Sequence, residues 1–440
     1  MSKEKIVVFW FRRDLRSHDN TGLSKALNSG FKVLPIFIFD SEILDSLPKN
    51  DARLSFIHKN IQQLDSQFKK ESQSGVYSFY KSVIESFEQI MQTYELQGVY
   101  TNEDYEPYAI SRDQQVVELL KDKGISFFSF KDQVVFEKND ITKDDGKPYV
   151  VYTPFKNKWL SLFNVTYPNG FDILSTPLEN LFAFKKPLHS LLEMGYEESS
   201  ISVSAFKVTP ALIEDYQEKR NFPGIENATS KLGPYLRFGA VSVREMVSKA
   251  KLQKNQVFLS ELIWREFFMQ ILWHFPHTIT KSFKPAYDGI SWRNNLTEFE
   301  KWKNGTTGYP LVDAGMRELN QSGTMHNRVR MLVASFLCKH LLIDWRWGEA
   351  YFAEKLLDFE LASNVGNWQW AAGSGVDAAP YFRIFNPMTQ ISKFDKQHTY
   401  INKWVPDFQE LSYPEPMVDH KMARERCLST YKTALSNVLL

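Results

Sequence analysis

Residues 5–20 read KIVVFWFRRDLRSHDN. The first seven residues, six of them β-branched or aromatic, run without the polar alternation of a half-exposed strand. An unbroken apolar run of that length reads as a strand covered on both faces, the signature of a parallel sheet between helical layers. Working outward, VLPIFIFD (33–40), VYSFY (76–80), VYTNE (99–103) and ISFFSF (125–130) repeat the pattern. Helical spacings fill 51–71, 83–97 and 108–123 between them. This βαβ rhythm predicts a doubly wound α/β sheet whose ligands sit at the carboxyl ends of the strands. FRRDLRSHDN (11–20) follows the first strand and so occupies the ligand-facing position. It contains no G-x-G-x-x-G, which argues against a nicotinamide oxidoreductase.

Beyond residue 130 the rhythm changes. Residues 131–205 hold Pro, Ser and charge clusters (TKDDGKPY, YPNG, EESSISVS) and read as a partly helical connector. From 206 to 440 the patterns are helical throughout, as in ELIWREFFMQILWHF and NRVRMLVASFLCKHLLIDW. The expected fold is therefore α/β followed by all-α, divided as 1–130, 131–205 and 206–440. The chain has 440 residues with 43% hydrophobic and 24% charged, the composition of a globular protein. Net charge is +1, with 28 basic and 24 acidic residues in 211–440 against 25 and 28 before, a bias that merely permits a basic patch. Two cysteines cannot build a disulfide framework, and neither a signal peptide nor a membrane-length apolar run is present, so a cytoplasmic protein is expected. Nine of the eleven tryptophans follow residue 260, more than core filling alone asks.

Three stretches carry chemistry-bearing residues. In TSKLGPYLRFGAVS (229–242), Thr229 and Ser230 precede a helical pattern whose free N–H groups favour an anion, although an ordinary N-cap explains them equally. In ELIWREF (261–267), Glu261 and Arg265 stand four apart, usually a solvated ion pair, with Trp264 between them. In LLDFELASNVGNWQW (356–370), Asp358 and Asn364 lie among small residues and indoles, which suits a large planar ligand or tight helix packing. A fourth stretch, GTMHNRVRM (323–331), sets Asn327 and Met331 on one helical face, either a capped helix start or the wall of a pocket.

Taken in order, these motifs resemble the photolyase/cryptochrome family, and within it the bacterial-type cyclobutane pyrimidine dimer photolyases. FWFRRDLRSHDN, YTPFKNKW, TSKLGPYLRFG, ELIWREF, TGYPLVDAGMRELNQSGTMHNRVRM, DWRWGE and GNWQWAAGSGVDAAPYFRIFNP span nearly the whole chain. The resemblance implies an N-terminal antenna domain and a helical domain holding FAD. It further implies that excited reduced flavin passes an electron to a pyrimidine dimer in DNA, splits it and recovers the electron.

By the same resemblance, Tyr216, Thr229, Ser230, Lys231, Leu232, Gly233, Asp358, Phe359, Glu360 and Asn364 contact FAD. Glu261 and Asn327 touch both cofactor and lesion, Trp264 is the platform for the flipped dimer, and Met331 lies against it. Arg220, Arg265, Arg328, Gln390 and Lys393, with Trp264, belong to the DNA-binding surface. Trp368, Trp345 and Trp292 occupy the positions of an electron relay, while Trp347 and Trp370 are assigned to packing. The expected protein is a monomer.

Several positions depart from the family pattern. Gly233 replaces a serine and Thr324 a tryptophan. Tyr108 and Ala109 replace the Asn-Glu pair of folate-binding relatives, which disfavours a folate antenna and leaves deazaflavin, a second flavin or none. The alternatives are a blue-light receptor (cryptochrome) and a (6-4) photolyase. The latter carries histidines at the positions of Asn327 and Met331; His326 lies one residue away and is expected to be structural.

Overall fold

A computed structural model describes residues 3–172 and 174–436. Contacts gather them into two units: Met1–Glu137 with Phe163–Ala205 and Leu232–Lys249, and Lys138–Leu162 with Phe206–Lys231 and Ala250–Leu440. These contact units interleave along the chain, unlike the expected division at 130 and 205. The expected connector is shared between the units, and a piece of the expected helical domain, 232–249, joins the first.

The first unit is built on five parallel strands: β1 (Lys5–Phe11), β2 (Lys32–Asp40), β3 (Tyr77–Lys81), β4 (Glu95–Asn102) and β5 (Ser126–Phe130), in the order β3-β2-β1-β4-β5. Ile6 to Phe11 are each at most 2% exposed, which explains the unbroken apolar run. Val7, Phe9 and Phe11 enter one core layer, while Ile6, Val8 and Trp10 enter the other. The covering helices are α1 (Thr21–Leu27), α2 (Ser41–Leu44), α3 (Ala52–Ser72), α4 (Val83–Thr93) and α5 (Pro107–Lys121). The helix expected over 83–97 ends at Thr93, because Glu95 and Leu96 pair with Lys5 and Ile6 and extend β4 backwards. Gly22 of α1 is required: a Cβ there would lie 2.9 Å from both Asn102 Oδ1 and the Phe9 ring.

The loop after β1 is tied into the protein by ion pairs. Arg12 pairs with Asp113 (2.5 Å), Arg13 with Asp104 (3.2 Å) and Glu106 (2.9 Å), and Arg16 with Asp132 (2.7 Å). Asn102 donates to buried Asp14 at 2.6 Å. The segment carrying α8 (Gly233–Arg237) and most of α9 (Val243–Lys251) is held to this loop, Leu15 N–H donating to Phe238 O at 3.1 Å and Arg244 pairing with Asp19 at 2.9 Å.

The second unit is helical. It comprises most of α6 (Tyr152–Thr166), then α7 (Pro210–Lys219), α10 (Val257–His274), α11 (Leu296–Asn304), α12 (Pro310–Ser322), α13 (Asn327–Ser335), α14 (Trp345–Lys355), α15 (Leu361–Ala372), α16 (Pro387–Phe394), α17 (Thr399–Trp404) and α18 (His420–Ser436). Among the described residues no β-strand follows Phe130, and no helix is long and apolar enough to cross a membrane. The core gathers Trp302, Phe336, Trp345, Phe352 and Trp368 between α11 and α15. Here Gly348 is indispensable, since a Cβ would lie 2.1 Å from the Trp368 ring.

Candidate active site

The GTMHNRVRM stretch is both a capped helix start and a pocket wall. His326 is the N-cap of α13, its Nδ1 accepting the Arg328 N–H at 3.2 Å. Nδ1 is therefore spent on the cap while Nε2 is buried without a partner, and burial together with Arg330 and Arg328 lowers the pKa of the ring to about 4. One helical step on, Asn327 and Met331 share the face bordering a cavity of about 100 Å³.

The facing wall is α15, which contributes Asn364, Trp368 and Ala371 at i, i+4 and i+7, while Asp358, Phe359 and Glu360 come from the turn before it. The polar groups cluster. Asp358 accepts from Arg330 at 2.9 Å and 3.1 Å, and Ser363 donates to Glu360 at 3.1 Å. The Asn364 amide nitrogen donates to Glu349 Oε1 at 2.8 Å and to the Glu349 carbonyl at 3.0 Å. That leaves the amide oxygen of Asn364 for a ligand N–H. Burial raises the pKa of Glu349, against the lowering effect of this bond. Met331, Ala334, Phe352, Leu356 and Trp368 supply the apolar walls. A flat heteroaromatic ring with polar edges fits this donor and acceptor set, as the isoalloxazine of FAD requires.

A second cluster lies on α7, α10 and the start of α6. Arg220 forms an ion pair with Glu261, and its guanidinium lies 5.3 Å from the Tyr216 ring centroid. Burial pushes the Tyr216 hydroxyl up to about 12. Trp264 is partly exposed and is stacked by Tyr152, with ring centroids 3.7 Å apart and planes 9° apart. One face of the expected platform is thus already covered. Arg265, the next residue, approaches Glu360 of the cavity wall at 3.9 Å.

Of the residues expected at the DNA surface, Arg265 lies 3.9 Å from Glu360, Gln390 is buried on α16 and Lys393 is exposed. Trp370 packs against the core as expected and also borders the cavity, which follows α15 far enough to touch both Trp368 and Trp370. Trp347 packs edge-on against Phe299. Neither Thr229 nor Ser230 caps a helix; α8 begins at Gly233 with Leu232 as its N-cap residue, and Thr229, Ser230 and Lys231 lie in the second unit while Leu232 and Gly233 open the segment of the first. Thr324 exchanges a hydroxyl hydrogen bond with Ser322 at 2.9 Å. Arg328 donates to Asn221 at 2.5 Å and covers the Phe394 ring at 4.4 Å. Trp368 and Trp345 are buried, and Trp292 is half-buried against the same core. Sequence reasoning passed over Arg330, Glu349, Ser363 and Tyr152. Of these, Arg330 left a signal, three residues after Asn327 on the same face, and Tyr152 opens the YTPFKNKW motif.

Residues 7–173 match the family model described as DNA photolyase, and residues 258–412 match the one described as the FAD-binding domain of DNA photolyase. The chain belongs to the DNA photolyase family. FAD is its cofactor and it is a lyase. It is 36% identical to the deoxyribodipyrimidine photo-lyase of Vibrio cholerae, over 97% of this chain and 99% of that one. The crystal structure of a bacterial class III photolyase from Agrobacterium tumefaciens superimposes with a TM-score of 0.87 at 33% identity, covering 99% of this chain and 98% of that one. A cryptochrome from Synechocystis gives a TM-score of 0.84 at 26% identity, covering 98% and 100%.

Proposed function

We propose that the protein repairs cyclobutane pyrimidine dimers in DNA using blue or near-ultraviolet light. Reduced FAD, when bound, supplies an electron donor of high energy on absorbing a photon. The residues of this chain do the rest. Asn364, Asp358 and Asn327 set polar edges around the cavity, and the apolar wall from Met331 to Trp368 keeps water from it. Trp264, stiffened by Tyr152, offers a flat surface to a base flipped from the stack, and a dimer, already poorly stacked, is cheaper to flip than an intact pair. Glu261 would accept from pyrimidine N–H groups. Arg220, Arg328 and Lys393 suit phosphates. Trp368, Trp345 and Trp292 would return oxidised cofactor to its working state by passing electrons inward.

The observation that carries this reading is the pairing of Asn327 with Met331 on the cavity wall. Dimer splitting needs no net proton transfer, so an amide and a thioether suffice, whereas (6-4) repair needs a proton donor there. The cryptochrome shares the fold, so fold alone does not separate repair from signalling. The test offers reduced holoprotein two illuminated oligonucleotides, one bearing a thymine dimer and one a (6-4) photoproduct. Thymines should reappear only from the first; repair of the second alone would overturn the reading.

The first unit should hold no folate. Tyr108 donates to Asp40 at 2.7 Å and Ala109 is buried, so neither offers the paired polar contacts of folate-binding relatives. A deazaflavin, a second flavin or no antenna remain, and mass spectrometry of the extracted chromophores decides among them. We place the protein in the cytoplasm as a monomer, in keeping with two buried free thiols, Cys338 and Cys427.

A further inference from the structure

Two arginines of the second unit, Arg220 and Arg328, have unlike partners. Arg328 donates to an amide oxygen, Asn221 Oδ1, and among the described residues it pairs with no carboxylate. Arg220, by contrast, is already neutralised by Glu261, the residue that would accept from the dimer. The pair is reachable, its side chains being 20% and 33% exposed. A guanidinium binds carboxylate and phosphate through the same fork of donors, so one anion can replace the other. The Tyr216 ring, 5.3 Å from the guanidinium carbon, gives Arg220 a seat that does not depend on Glu261.

Paired pyrimidines in a duplex have their imide N–H groups engaged with purines. A pair flipped out of the stack presents those donors unpaired, and they are what a carboxylate such as Glu261 accepts. Resting on the reading above, we propose that the Arg220–Glu261 ion pair is a latch that couples lesion recognition to phosphate binding. On intact DNA the latch stays shut, Glu261 masking Arg220 and the guanidinium hiding the carboxylate from the phosphates. On a dimer, Glu261 turns to the imide N–H groups while Arg220, still over Tyr216, exchanges the carboxylate for a backbone phosphate. No covalent bond changes and no proton need move. Selectivity then arises twice: once at the base edges and once at a phosphate contact that only damaged DNA gains.

The test measures affinity of the FAD-loaded protein for dimer-containing and undamaged duplexes over a salt series. Each phosphate contact contributes about 0.9 to the slope of log K against log salt. Arg220→Gln should lose about that much slope on dimer DNA and far less on undamaged DNA. Glu261→Gln should tighten undamaged DNA several-fold, and the gain should vanish in the Arg220→Gln background. Arg220→Met gives the same reading should the Gln variant lose its flavin. Equal loss of slope on both duplexes overturns the latch, as does a Glu261→Gln gain that survives without Arg220, which would be bulk charge. Wild-type protein with no preference for the dimer would overturn the repair reading itself, and the latch with it.

Discussion

Asn364 holds Glu349 through two hydrogen bonds from one amide nitrogen, 2.8 Å to the carboxyl and 3.0 Å to the main chain. The amide thereby brings polarity to the cavity without charge. Asn364→Asp would replace the donated N–H by a second carboxyl facing Glu349 and add negative charge beside the cavity, which disfavours the anionic reduced flavin. Its reduction midpoint should fall by on the order of 60 mV, equivalent to about 1.4 kcal/mol for one electron. Spectroelectrochemical titration reads this directly, and an unchanged or raised midpoint would remove Asn364 from the cofactor's edge.

Trp264 and Glu261 share α10 without lining the cavity wall of α13 and α15. The double variant Trp264→Ala with Glu261→Ala should therefore keep FAD and lose dimer binding. Stacking on an aromatic ring contributes roughly 1–3 kcal/mol, so affinity should fall at least about fivefold. A competition assay that finds unchanged preference for damaged over undamaged DNA would sink the assignment.

Trp368 and Trp345 are 2% and 1% exposed and Trp292 is half-buried, so on the proposed relay Trp292 would be the exit. Trp292→Phe should slow light-driven reduction of oxidised FAD strongly and leave repair by chemically reduced protein near wild type. Transient absorption paired with a repair assay separates the two. Photoreduction at the wild-type rate would mean that Trp292 is not the exit.

Burial, with His420 and Arg426 adding to it, lowers His340 to about 3, and burial lowers His326 to about 4. Both are neutral when folded but take up a proton near pH 6.5 when unfolded. Their contribution to stability is complete above that pH and is lost progressively as pH falls toward 4 and 3. His340→Leu should flatten the acid limb of a melting-temperature profile taken across this range. Parallel profiles for variant and wild type would contradict the shift.

Much of this was legible because period and burial agree. Ile6 to Phe11 read as a doubly covered strand, and Asn327 with Met331 as one face, from spacing alone. What escaped depends on distant partners. Nothing local in GPYLRFG says that Phe238 will bond Leu15 and carry its segment into the first unit. Gln390 and Lys393 look equally solvated in sequence, yet α16 turns one inward. Trp370 seemed to face away from Trp368, and only the reach of the cavity along α15 joins them. Arg330 was visible but lacked a reason until Asp358 stood beside it.

The most direct measurement follows thymine recovery from a dimer-containing oligonucleotide mixed with reduced holoprotein, in parallel samples kept dark or given blue light. The account predicts many turnovers in the light and none in the dark, with Asn327→Ala slower than wild type at equal flavin content. Tight, light-independent binding without recovered thymines would contradict it and favour a receptor over a repair enzyme.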